Sequence, residues 1–104
     1  MGSSIKVRTN IREGVTTVRA IIRHPMHTGF KFDETTGAII PAHYIENVVI
    51  HHGEKPVLQC DWSRAVSANP YLSFAFSGAV AGDMLRISWR DNKGDSDTIA
   101  VNIQ

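Results

Sequence analysis

Long runs of this chain alternate apolar and polar residues with a period of two, and no run repeats at the spacing of a helix. A period of two sends successive side chains to opposite faces of an extended backbone, so such a chain is committed to half-buried strands. Ile5, Val7, Thr9 and Ile11 alternate with Lys6, Arg8, Asn10 and Arg12, and Glu13-Gly14 supplies a turn. Val18, Ala20 and Ile22 continue the pattern, with Ile21 adding an apolar residue on the other side, until Pro25 removes the N–H a ladder requires. Met26 to Thr36 is irregular. In Ile45 to His52, strict alternation sets Glu46, Val48 and Ile50 against Ile45, Asn47 and Val49. Gly53-Glu54-Lys55 reads as a hairpin connection, followed by strands over Val57–Trp62, Tyr71–Phe76 and Met84–Trp89. Asp91-Asn92-Lys93-Gly94-Asp95 is the clearest turn, and Ser96 to Ile103 closes the chain.

Turn signals at intervals of about 8–12 residues describe an all-β, immunoglobulin-like β-sandwich of about seven strands. Arg64 to Ala68 comes nearest to a helix and is too short. Parallel βαβ folds are excluded, because each crossover needs a dozen or more residues. At 104 residues the chain is one domain, 1–104, able to bury a core without a metal or disulfide. Residues 1–4 carry no structural signal and are expected to be disordered or cloning-derived. Cys60 stands alone, so no disulfide framework exists. Eleven Lys and Arg against ten Asp and Glu leave a net charge of +1. That balance argues against a nucleic-acid binder that works through a basic excess on one face. No apolar run reaches the roughly 18 residues of a membrane span, and Met1 to Lys6 lacks the apolar core of a secretory signal.

The residues able to do chemistry do not form a recognisable set. Cys60 shares its strand face with Leu58 and Trp62 and has Asp61 beside it, which is the setting of a packed, unreactive thiol. His24, Met26 and His27 offer imidazole and thioether groups of the kind copper accepts. Pro25, however, prevents the regular geometry that would align them. His51 and His52 point to opposite faces of a strand end, and His43 stands alone. No nucleophile elbow and no phosphate-binding loop occurs, and Gly78 to Asp83 reads as a turn. The expectation is a protein with no catalytic residue, no metal and no cofactor. Trp62, Tyr71, Phe74, Phe76 and Trp89 are expected in the core. Phe30, Phe32 and Tyr44 lie in or beside the irregular segment, where specific residues ask for another explanation, most often recognition. Phe30 and Tyr44 are therefore candidate partner anchors, with His43 a polar contact beside them.

Five ordered blocks carry a family resemblance: His24-Pro25-Met26-His27-Thr28-Gly29, Ile40-Pro41-Ala42-His43-Tyr44-Ile45, Ser67-Ala68-Asn69-Pro70-Tyr71-Leu72, Ala81-Gly82-Asp83 and Asp91-Asn92-Lys93-Gly94-Asp95. In order and spacing they resemble the SoxZ family, the smaller subunit of the SoxYZ carrier of bacterial sulfur oxidation, over about Ile5 to Ile103. The resemblance implies a periplasmic, non-catalytic, immunoglobulin-like subunit that forms a heterodimer with SoxY and docks transiently with the other Sox enzymes. It implies no nucleic-acid or membrane partner. SoxY carries thiosulfate-derived sulfur on the cysteine of a Gly-Gly-Cys-Gly-Gly tail, which this sequence lacks. SoxY also carries the export signal, so the two would leave the cytoplasm together. The competing readings are a periplasmic copper carrier using His24, Met26 and His27, and an enzyme using Cys60.

Overall fold

A computed structural model describes residues 3–63 and 66–104. Its strands are β1 (Ile5–Arg12), β2 (Val15–Ile22), β3 (Ile45–His52), β4 (Lys55–Asp61), β5 (Tyr71–Ser77), β6 (Met84–Asp91) and β7 (Ser96–Asn102). They form two antiparallel sheets, β1-β2-β5 and β4-β3-β6-β7. This is the expected all-β sandwich, and no helix occurs among the described residues. Arg64 and Ala65, from the segment nearest to a helix, lie outside those residues. Compared with a constant-type immunoglobulin domain, the fourth strand has moved from the sheet of β1, β2 and β5 to the edge beside β3. Pro56 is tolerated there because an edge strand has one side free of ladder bonds.

The alternation read from the sequence becomes the core. Ile5, Val18, Ala20, Ile22 and Leu72 face inward from one sheet, and Val48, Ile50, Leu85, Ile87 and Trp89 from the other. Each large aliphatic side chain so buried contributes about 1.5–3 kcal/mol. The first hairpin is set by chain chemistry: Arg12 pairs with Val15, so Glu13 and Gly14 alone make the turn, both at positive φ (53° and 81°). That is the primed turn whose twist matches its strands, and it needs a left-handed residue at both positions. Thr16 is fully buried on β2, and its hydroxyl finds no partner among the described residues. Thr16→Val is therefore expected to raise stability by about 1 kcal/mol, since it removes an unsatisfied buried hydroxyl at nearly constant shape. A midpoint in urea that falls or stays unchanged would refute this.

Three sequence expectations need correction. Ile45, Val48 and Ile50 are all fully buried, although strict alternation separates Ile45 from the other two. The cause is a bulge: against β6, Ile45 pairs with Asp91 and Asn47 with Arg90, so Glu46 is the extra residue and resets the faces. Tyr71 is 58% exposed because Leu72, Phe74 and Phe76 take the inward side of β5. The near-neutral charge also hides a segregated distribution. Strands β1, β2 and β5 hold Lys6, Arg8, Arg12 and Arg19 and no acidic residue. Net charge is a sum over the chain, and it does not report faces.

Ser3 and Ser4 are held in place by Asp97, whose Oδ2 accepts the Ser4 N–H at 2.9 Å and the Ser4 hydroxyl at 2.7 Å. These bonds, led by the Ser4 hydroxyl, hold the Asp97 carboxyl below its ordinary pKa. The Ser4 Oγ in turn accepts the Trp89 indole N–H at 3.0 Å.

The molecule is longer than its sandwich. Strands of seven or eight residues reach about 26 Å, yet the long axis is 54 Å, and the 15.8 Å radius of gyration exceeds the roughly 13 Å of a compact chain this size. The longest connection between strands is the one from β2 to β3, residues 23–44.

Candidate functional site

Residues 27–43 fold back on themselves as an arm. At the base, His27 and His43 exchange backbone hydrogen bonds, with N···O distances of 2.6 and 3.0 Å. Farther out, the Ile40 N–H donates to Lys31, the Asp33 N–H donates to Ala38, and Phe32 bridges Ile39. At the tip, Asp33 Oδ1 accepts the N–H of Thr35 at 2.8 Å and of Thr36 at 3.3 Å. Gly29 (φ 86°) passes so close to Ala42 that a Cβ there would lie 3.2 Å from the Ala42 Cβ. The arm carries Phe30 (75% exposed), Phe32 (64%) and Ile39 (58%), large apolar side chains that do nothing for the core.

A turn forty-eight residues farther along the chain clamps this arm. Asp91, at the end of β6, is buried and uses all its acceptor positions. Its Oδ2 takes the Nε2–H of His24 at 3.0 Å and of His43 at 2.7 Å. Its Oδ1 takes the N–H of Lys93 at 3.0 Å and of Asp95 at 2.9 Å. Burial pushes the Asp91 carboxyl up, but the bonds from His24, His43, Asp95 and Lys93 outweigh it and hold the pKa below its ordinary value. Asn92 completes the clamp: its Oδ1 accepts the Tyr44 N–H (2.8 Å), its Nδ2 donates to the Ala42 carbonyl (2.9 Å) and its N–H to the Tyr44 carbonyl (3.0 Å). Met26, at positive φ (49°), is buried under the base, and its Sδ accepts the Ile45 N–H at 3.3 Å.

His24, His43 and Asp91 are the one group of potential metal ligands among the described residues, with ligand atoms within 4.8 Å of one another. Their hydrogen bonds do not suit an ion. His24 Nδ1 accepts the Met26 N–H at 3.1 Å, so the ring proton sits on Nε2. A metal on Nε2 would move that proton to Nδ1 and set it against the Met26 N–H. The copper reading of His24, Met26 and His27 finds no such grouping: His24 Nδ1 accepts the Met26 N–H, the Met26 sulfur accepts the Ile45 N–H, and His27 lies outside the cluster of His24, His43 and Asp91. The arrangement can hold the arm's base rigid, and its protons are committed to that purpose.

The other sequence candidates divide. Phe30 is exposed on the arm, whereas Tyr44 is half-buried against the core and His43 is committed to Asp91. Cys60 is partly buried, packed against the core from β4, and burial together with the Asp61 charge raises its thiol pKa. His52 bonds Asp83 at 2.8 Å and lowers that carboxyl's pKa. Gly78 to Asp83 is a turn. Sequence reasoning missed Asp91 and Asn92 as organisers, seeing in them only turn formers.

Fold and site together define a two-sheet β-sandwich with an exposed aromatic arm clamped at its base. The chain belongs to the SoxZ family: the family model described as "Sulphur oxidation protein SoxZ" matches residues 5–102, nearly the whole chain. Its role therefore lies in sulfur oxidation, with the Sox proteins. No curated protein matches it. Among solved structures it is similar to a hypothetical protein from Pyrococcus horikoshii OT3, with a TM-score of 0.68 and 14% identity over 96% of this chain and 87% of that one. At that identity the likeness shows the shared fold alone.

Proposed function

We propose that this chain is the non-catalytic body of a periplasmic sulfur carrier. It pairs with SoxY, whose tail cysteine holds the thiosulfate-derived sulfur, and helps present that cargo to the Sox enzymes. The family membership carries this reading. The clamped arm supports it, because a docking element gains affinity when its bound shape is fixed in advance. So does the chemistry of the side chains: the histidine donors at Asp91 are occupied, and a thiol with a raised pKa is a poor nucleophile near neutrality. The test is co-expression with a SoxY from the same genome. A one-to-one complex that supports thiosulfate-dependent electron transfer in reconstituted Sox mixtures is expected, and two proteins that migrate separately would overturn the proposal.

Within that assay the arm is expected to dominate one contact. Phe30→Ala and Phe32→Ala should each weaken binding to SoxY or to a docking enzyme by about 2 kcal/mol, roughly thirtyfold. Their melting temperatures should hardly move, since both rings are exposed. Calorimetric titration showing every affinity within about threefold of the parent protein would exclude the arm as an anchor. Cys60→Ser should leave turnover unchanged, because the thiol packs against the core and is electrostatically suppressed. Loss of turnover in a folded Cys60→Ser complex would assign the thiol a role.

A further inference from the structure

The outer face of the β1-β2-β5 sheet has a single sign of charge. Lys6, Arg8, Arg12 and Arg19 are all exposed there, and no ion pair engages any of them among the described residues. Arg8 and Arg19 are direct cross-strand partners. Like charges placed directly opposite destabilise a sheet, so this pair works against the fold that carries it. One row along, Lys6, Ile21 and Tyr71 lie side by side across the three strands, with Ile21 45% and Tyr71 58% exposed. A shallow depression of about 340 Å³ runs between these rows, lined by Lys6, Arg8, Arg19, Ile21 and Tyr71.

We propose that this face docks an acidic protein surface with a small apolar centre, a contact separate from the aromatic arm. Charge complementarity selects the sign of the partner. Arg and Tyr are among the residues enriched in protein hot spots, and apolar Ile21 and Tyr71 with polar side chains around them match the apolar core and polar rim of an interface. Eight residues along a strand and three strands across give a face of roughly 25 by 15 Å. That is below the roughly 800 Å² per partner of a stable complex and suits a brief, electrostatically steered encounter. At roughly 15 Å across, the three-stranded face is wider than the roughly 12 Å major groove, which admits a two-stranded ribbon. Ile21, Tyr71 and Val15 offer little to insert into a bilayer.

The test is an NMR titration of the ¹⁵N-labelled protein with a glutamate-rich peptide containing one leucine, at low and at physiological salt. Shifts are expected on β1, β2 and β5, with affinity falling as salt rises. The variant Arg8→Glu with Arg19→Glu should bind at least tenfold more weakly. The matched control, Arg86→Glu with Arg90→Glu on the exposed side of β6, should change binding less than twofold. Arg8→Glu alone places opposite charges across the pair and should raise the melting temperature while weakening binding, a combination that a purely structural role does not produce. Equal losses in the two double variants, or shifts spread over all cationic residues, would overturn the proposal. So would a DNA duplex or phosphatidylglycerol vesicles binding this face tenfold more tightly than the peptide.

Discussion

Replacing Asp91 by alanine is expected to lower the unfolding free energy by about 3–5 kcal/mol, a large part of the roughly 5–15 kcal/mol that holds a domain together. Four donors lose their acceptor at once: the Nε2–H groups of His24 and His43 and the amides of Lys93 and Asp95. The two amides lie in an exposed turn and can turn to water. His24 is 3% exposed and cannot, so the desolvation cost of its proton falls in full on the folded state. Asp91→Asn should fall between, since one carbonyl oxygen serves either the imidazoles or the turn. Urea unfolding measures the loss. Hydrogen exchange at the His27 and His43 amides measures its location, because the arm should loosen at its base before the sheets part. A stability loss below about 1 kcal/mol in Asp91→Ala would mean the clamp is ornamental.

The same carboxylate fixes a pH dependence. Asp91 and Asp97 both have folded pKa values below the ordinary carboxylate value. Their stabilisation is therefore fully present above about pH 4 and is lost as pH falls through the lower, folded values. Stability should decline on acidification in that window, and Asp91→Asn should decline less steeply than the parent protein.

How much of this could be read from the sequence depends on distance along the chain. The alternation of Ile5, Val7, Thr9 and Ile11 is local, and it yields β1 and the inward face of its sheet. The turn at Asp91 to Asp95 is local too. What the Asp91 side chain does is not, because its imidazole partners lie sixty-seven and forty-eight residues away and meet it only once β3 and β6 have paired. The basic face is hidden for the same reason: Arg8 and Arg19 are seen as neighbours only after the register is known. Tyr71 illustrates a different failure. An aromatic ring in a strand suggests the core, but the face is set by the parity it shares with Leu72, Phe74 and Phe76. Phe30 draws notice because nothing in the strand pattern accounts for a phenylalanine in an irregular segment, and the fold leaves its ring exposed.

Ile45 offers the sharpest experiment on that boundary. Plain alternation places it on the outward side with Val49, where truncation to alanine would cost no more than about 1 kcal/mol. The bulge at Glu46 instead turns it inward, where it is fully buried and its amide donates to the Met26 thioether beneath the arm. Ile45→Ala is therefore expected to cost about 3 kcal/mol or more, the transfer free energy of the lost atoms plus the cavity they leave. Val49→Ala should cost under about 1 kcal/mol, since Val49 remains partly exposed. Deleting Glu46 completes the argument. Without the extra residue Ile45 stands two positions before Val48, so regular alternation keeps it inward. The main loss is the Glu46 carbonyl that accepts the Trp62 N–H at 2.9 Å, about 1 kcal/mol. A deletion milder than a conservative truncation one residue away is what a bulge predicts and simple alternation does not. If thermal melts rank the deletion as the most damaging of the three, the bulge serves the fold in a way its pairing does not explain.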